Sequence, residues 1–155
     1  MDDELRLVVM GIILAAGVLA ISQTTVGQFQ FEPFSTISIL GSNMTLDNYP
    51  QNVTVNQTNR LYIYLDNQEG HLSYYEVRMK LGNSSTATGP DSPSQAEQIG
   101  TISAIVPSGN HTLIPVDFRI DATATNAKLI FELWVIDSNG PHYSGKWNQL
   151  WINAT

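Results

Sequence analysis

Arg60-Leu-Tyr-Ile-Tyr-Leu-Asp66 and, one turn later, Ser73-Tyr-Tyr-Glu-Val-Arg-Met-Lys-Leu81 decide how the chain reads. In the first, Leu61, Ile63 and Leu65 share one face, with Tyr62 and Tyr64 on the other. In the second, Tyr75, Val77, Met79 and Leu81 point one way while Tyr74, Glu76, Arg78 and Lys80 point out. A period of two is that of strands with one buried face. Between them, Asn67-Gln-Glu-Gly70 is turn chemistry.

Outward from this pair the same alternation predicts strands over Ser35–Leu40, Asn52–Val55, Ile99–Val106, Thr112–Ile120, Lys128–Ile136 and Lys146–Asn153. Gly41-Ser-Asn, Tyr49-Pro50, Pro107-Ser-Gly-Asn and Asp137-Ser-Asn-Gly-Pro141 are the breaks. Short strands at this spacing, with no helical period among them, imply a mainly β domain, an antiparallel sandwich. Val53 and Val55 are expected to face in, and Asn52, Thr54 and Asn56 out. Residues 82–97, GNSSTATGPDSPSQAE, are apolar-poor and studded with Gly and Pro. The expectation there is a mobile loop rather than a lid over a site.

The N-terminal part has a different character. Leu7–Ile21, LVVMGIILAAGVLAI, holds fifteen residues without a polar side chain. Alone it covers about 22 Å as a helix, short of a hydrocarbon core of about 30 Å; extension from Leu5 to Val26 gives a segment that can span. A cleaved secretory signal, a retained anchor and a buried helix are the competing readings. Asp2, Asp3 and Glu4 are acidic where a signal wants positive charge, and no polar face interrupts the run. The retained single-pass anchor is therefore the expectation, although whether the segment is cleaved stays open. Arg6 lies on the N-terminal side and the next basic residue is Arg60, which puts the N-terminus in the cytoplasm. Gly11, Ala15 and Gly17 thin the helix enough for another helix to approach. The expected organisation is an anchor over residues 1–26, a stalk over 27–34 and an extracellular sandwich over 35–155.

Composition narrows the function classes. The chain has 155 residues, no cysteine and a formal net charge of −7. Disulfides and thiolate metal sites are excluded. Nucleic acid is not expected as a partner, since phosphate binding needs clustered Lys and Arg. Six Asn-x-Ser/Thr sequons, at Asn43, Asn52, Asn56, Asn83, Asn110 and Asn153, favour a face carrying N-linked glycans.

Tyr49-Pro-Gln-Asn-Val-Thr-Val55, Asp66-Asn-Gln-Glu69 and a last strand with Trp151 resemble an archaeal family of unknown function. That family is an extracytoplasmic Ig-like domain at the C-terminal end of predicted membrane proteins, and the likeness runs from about Thr36 to Asn153. It implies an Ig-like fold and an archaeal surface setting, and it brings no catalytic residues. Many relatives carry several spans, where one is expected here.

No chemistry-bearing constellation emerges. His71, His111 and His142 lack ligand spacing. Asp66, Glu69, Asp117 and Asp137 fall mostly at strand ends or turns, where carboxylates cap or solvate. There is no nucleophile elbow and no phosphate loop. Neither catalysis, nor a cofactor, nor a metal is expected. Tyr62, Tyr64, Trp147 and Trp151 form a candidate aromatic surface for sugars or a partner, with core packing as the plainer alternative. The function expected is an accessory or structural subunit, with membrane lipid and other membrane or envelope subunits as partners. A pilin-like filament subunit and a glycan-binding module are the alternatives.

Overall fold

A computed structural model describes residues 8–18 and 32–155. The chain divides into two units, Met1–Glu32 and Pro33–Thr155. In the first, residues 8–18 are helical and exposed, Gly11, Ala15 and Gly17 among them. No helix among the described residues is long and apolar enough to cross a membrane. The flank at residues 1–7, the remainder of the expected span and most of the expected stalk lie outside the described residues.

The second unit has eight strands: β1 Ser35–Leu40, β2 Asn52–Val53, β3 Asn59–Asn67, β4 Ser73–Gly82, β5 Glu97–Val106, β6 Asn110–Phe118, β7 Ala124–Asp137 and β8 Gly140–Ala154. They form a three-stranded sheet, β1-β3-β6, and a five-stranded sheet, β2-β8-β7-β4-β5. Parity decides what lies between the sheets. Ile37 and Ile39 of β1, Leu61, Ile63 and Leu65 of β3, and Val116 and Phe118 of β6 meet Tyr75, Val77 and Met79 of β4 and Leu129, Phe131 and Leu133 of β7. All are buried, each contributing about 1.5–3 kcal/mol of transfer free energy for a large side chain.

The paired strands place Ser35 opposite Asn67, Ser73 opposite Val106, and Asp137 opposite Gly140. Asn67 itself donates to the Val106 carbonyl oxygen at 2.7 Å. These residues mark one end of the sandwich, the end at which Phe34 leads into β1, called proximal below. At the distal end lie Leu40, Asn59 with its partner Phe118, Leu81 with Glu97, and Ala124 with Ala154.

Several expectations need correction. The sandwich is not wholly antiparallel, because β2 pairs with β8 in parallel. The expected strand Asn52–Val55 stops at Val53, since Asn56 turns left-handed (φ 63°) and donates its amide to the Ile120 carbonyl oxygen. Strands β7 and β8 run longer than expected, as a hairpin around Gly140 (φ 103°) that keeps pairing beyond the apolar core. The stretch 82–97 is not a free loop. It lies on the outer face of the five-stranded sheet, and Lys80, expected to face solvent, is buried beneath it.

Candidate functional site

The loop is fastened by side chains that belong to the sheet. Lys80 of β4 lies 2.9 Å from Glu132 of β7 and donates to the Ser94 carbonyl oxygen at 2.6 Å. Glu132 accepts the Ser94 backbone N–H at 2.5 Å, and the Trp134 indole N–H reaches its other oxygen at 3.3 Å. Lys128 donates to Thr86 O at 2.7 Å and the Tyr143 hydroxyl to Gly89 O at 2.8 Å. Ile130 is buried on the same face, so β7 is covered on both sides through its middle. The loop also needs Gly145 in β8 (φ 74°), where a side chain would press on the Pro90 carbonyl oxygen at 2.9 Å. Burial, with the Glu132 carboxylate nearby, pushes the Tyr143 hydroxyl up to about 12. Between the loop and the start of β7 is an open cleft of about 910 Å3 edged by Asn83, Asp91, Glu97 and Thr125.

This construction decides what the aromatic surface offers. The Arg78 guanidinium sits 3.6 Å over the Trp134 ring and donates to Glu76 at 2.6 Å, so one indole face is already stacked. The Lys128 ammonium is 5.1 Å from the Trp151 ring centroid. Trp151 is exposed and Trp147 half-buried on β8. Tyr62 and Tyr64 are half-buried on the outer face of the other sheet, where Tyr64 stacks on His111 with centroids 5.2 Å apart. The four residues therefore occupy two opposite faces and form no common platform.

The histidines and carboxylates are engaged locally. His71 Nδ1 is 3.1 Å from the Glu69 carbonyl oxygen, and His142 is 3.6 Å from Asp137. Arg60 makes a paired ion bridge to Asp117 at 2.7 and 2.8 Å, which lowers the Asp117 carboxyl below its ordinary range and raises the guanidinium. Among the described residues no three His, Asp or Glu side chains converge as metal ligands would.

The sequons sort by end. Asn43 follows β1, Asn52 lies in β2, Asn56 follows it, Asn83 follows β4, and Asn153 is near the end of β8: all at the distal end. Asn110, at the start of β6, is proximal. Asn43, Asn52, Asn56, Asn83 and Asn110 are exposed. Asn153 is half-buried, accepting the Asn126 N–H at 2.9 Å and donating to Asn52 at 3.3 Å.

Sequence reading missed Asn67, which is fully buried and closes the proximal end. Its amide donates to His71 O at 2.8 Å and Val106 O at 2.7 Å, and its oxygen accepts the Glu69 N–H at 3.0 Å. The signal was there in an Asn at the end of an alternating strand, followed by a turn. It also missed the Lys80–Glu132 pair, signalled by a carboxylate set within Leu129-Ile-Phe-Glu-Leu-Trp-Val135.

Two facing sheets in the orders β1-β3-β6 and β2-β8-β7-β4-β5 define a mainly β protein with an Ig-like sandwich. The chain belongs to the family described as a domain of unknown function (DUF1616), which matches residues 29–153. It is similar to the CARDB domain of a Pyrococcus furiosus protein, solved as a crystal structure in complex with di-metal ions. The TM-score is 0.51 at 11% identity, covering 81% of this chain and 90% of that one. The solution structure of the same domain gives 0.51 and 11%, covering 80% and 96%. A β-glucosidase from Listeria innocua in complex with glucose has a TM-score of 0.49 at 7% identity, covering 79% of this chain and 16% of that one. At such identities the likeness is one of fold. No curated protein matches the chain.

Proposed function

We propose that this chain is a non-catalytic, single-pass membrane protein with a cytoplasmic N-terminus, holding its Ig-like sandwich outside an archaeal cell as an accessory subunit of a larger membrane or envelope assembly. The observation that carries this reading is the division of the sandwich by its ends. The chain leads in from the apolar Leu7–Ile21 block at the proximal end, while five of the six sequons, Asn110 excepted, lie at the distal end. Glycans on a tethered ectodomain project away from the bilayer, where the transferase and solvent have room. Gly11, Ala15 and Gly17 on the exposed helix supply a small-residue surface for a partner helix.

Purification of the full chain in mild detergent, followed by mass spectrometry of partners and glycopeptides, tests the reading. Fixed-stoichiometry recovery with larger membrane proteins and distal glycans is the expected result. A chain that emerges alone, unglycosylated and in the aqueous fraction overturns it, and recovery as sheared polymers would favour the filament alternative.

A further inference from the structure

We infer that the proximal rim of the five-stranded sheet rests on the surface of a neutral lipid bilayer, through Leu72, Tyr74 and Ile105 together with Phe34. This rests on the anchored reading above and names the surface that the ectodomain meets. Leu72 and Ile105 are 62% and 64% exposed, and Tyr74 and Phe34 are 39% and 43% exposed. The residues form a group rather than a scatter. Tyr74 is the cross-strand partner of both Ile105 and Ile136, and Pro141 continues the row on β8. Exposed Leu72 and Tyr74 flank buried Ser73. Phe34 stands at the same end, with its carbonyl oxygen accepting the Gln68 N–H at 2.8 Å.

Position selects lipid as the occupant. The eight residues 27–34 reach at most about 29 Å when fully extended. The ten residues of β4 alone span about 33 Å. A tether of that length holds the proximal end within about 29 Å of the bilayer, so lipid is an extended surface that this end can always reach. Aliphatic side chains with a tyrosine among them suit the headgroup boundary, where one end of the ring is apolar and the other wet. Charge selects neutral lipid, since Asp66, Glu69 and Asp137 share this end. Among the described residues, the bases near them are His71, His111 and His142, with one lysine, Lys146, beside Phe34, so acidic groups still outnumber fixed positive charge at this end.

The absence of cysteine makes the test direct. Single variants Leu72→Cys, Ile105→Cys and, as a distal control, Leu46→Cys are labelled with an environment-sensitive fluorophore. The full chain is then assembled in phosphatidylcholine nanodiscs. Leu46 is 74% exposed, so all three labels report surface positions. The expected result is blue-shifted emission, quenching by brominated lipid and loss of iodide quenching at 72 and 105, with the reverse at 46. Adding phosphatidylglycerol should weaken the lipid quenching. Iodide quenching at 72 and 105 equal to that at 46 overturns the contact, as does shielding from iodide without lipid quenching, which marks a protein occupant. Failure of the full chain to co-elute with nanodiscs is a separate readout; it overturns the anchoring and the contact with it. Unchanged thermal transitions in the three variants show that the fold is intact.

Discussion

Replacing Glu132 with leucine should detach the loop from the sheet and lower the stability of the Pro33–Thr155 sandwich by about 3–5 kcal/mol. The magnitude follows from what is left behind. Glu132 and Lys80 have side chains only 1% and 9% exposed. Removing one member of such a pair strands the other charge in a site that water barely reaches, a cost of about 3–5 kcal/mol. The Ser94 N–H loses its acceptor as well. The double variant Lys80→Met/Glu132→Leu removes both charges, leaving about 1–3 kcal/mol for unpaired Ser94 groups. Urea unfolding of the sandwich, which has its own core, reads both effects. At about 1.5 kcal/mol per molar, the single change moves the midpoint down by about 2–3 M, and the double variant recovers about half of that. Proteinase K should cut within residues 83–96 faster in the single variant. A shift below about 0.5 M, or a double variant no better than the single one, refutes the claim that this pair fastens the loop.

Tyr143 supplies a pH signature. Its hydroxyl is raised from 10.0 to about 12 by burial and the Glu132 charge, so the folded state holds a proton that the unfolded chain releases first. Stability from this group is complete below pH 10 and falls as pH rises towards 12. Alkaline urea titrations should show a shallower loss in Tyr143→Phe than in the parent. Ser73 has a buried hydroxyl with no hydrogen-bond partner among the described residues, and Ser73→Ala should raise stability by about 1 kcal/mol in the same assay. Glycopeptide mapping should find Asn43 or Asn56 occupied and Asn153 empty, because both polar atoms of the Asn153 side chain are engaged on the folded surface. The same map should find Asn110 unmodified, since a glycan there would stand between the proximal rim and lipid.

The strands were legible because parity is local: Ser35–Leu40 comes out as expected, and the inward faces of β3 and, as far as Met79, of β4 match the alternation. The loop over residues 82–97 was not, for an equally local reason. Apart from the Thr88 hydroxyl, which donates to Gln149 at 3.1 Å, its fastenings come from Lys80, Lys128, Glu132 and Tyr143, all outside it, and they grip the backbone at Thr86, Gly89 and Ser94. A backbone carbonyl leaves no mark in a sequence, so a segment held by its main chain reads like a free one. The buried carboxylate did leave a mark. A charge within Leu129–Val135 had either to break the strand or to find a cation; register sets Arg78 directly across from Glu132, and Lys80, two strand positions beyond, is the one that pairs with it. The parallel β2–β8 pair was illegible because it joins residues a hundred positions apart through only two residues of strand.

Read in chain order, the sequons scatter over the whole domain and carry no geometry. Register sorts them. Asn52 and Asn153 become neighbours across β2 and β8, and their hydrogen bond leaves room for at most one glycan between them. Asn56 has a left-handed backbone at a turn, and Asn43 precedes the left-handed Met44 (φ 61°), so both stand clear of the sheet ladders. The distal end thus carries the accessible acceptors, while the proximal end carries the aliphatic rim. Asn110 couples the two, because it is exposed and proximal. A sandwich free in solution has no reason to keep that one site bare while modifying its opposite end. A sandwich held by a short tether does, since the bilayer then shields the Asn110 turn from the transferase and from the space a glycan needs.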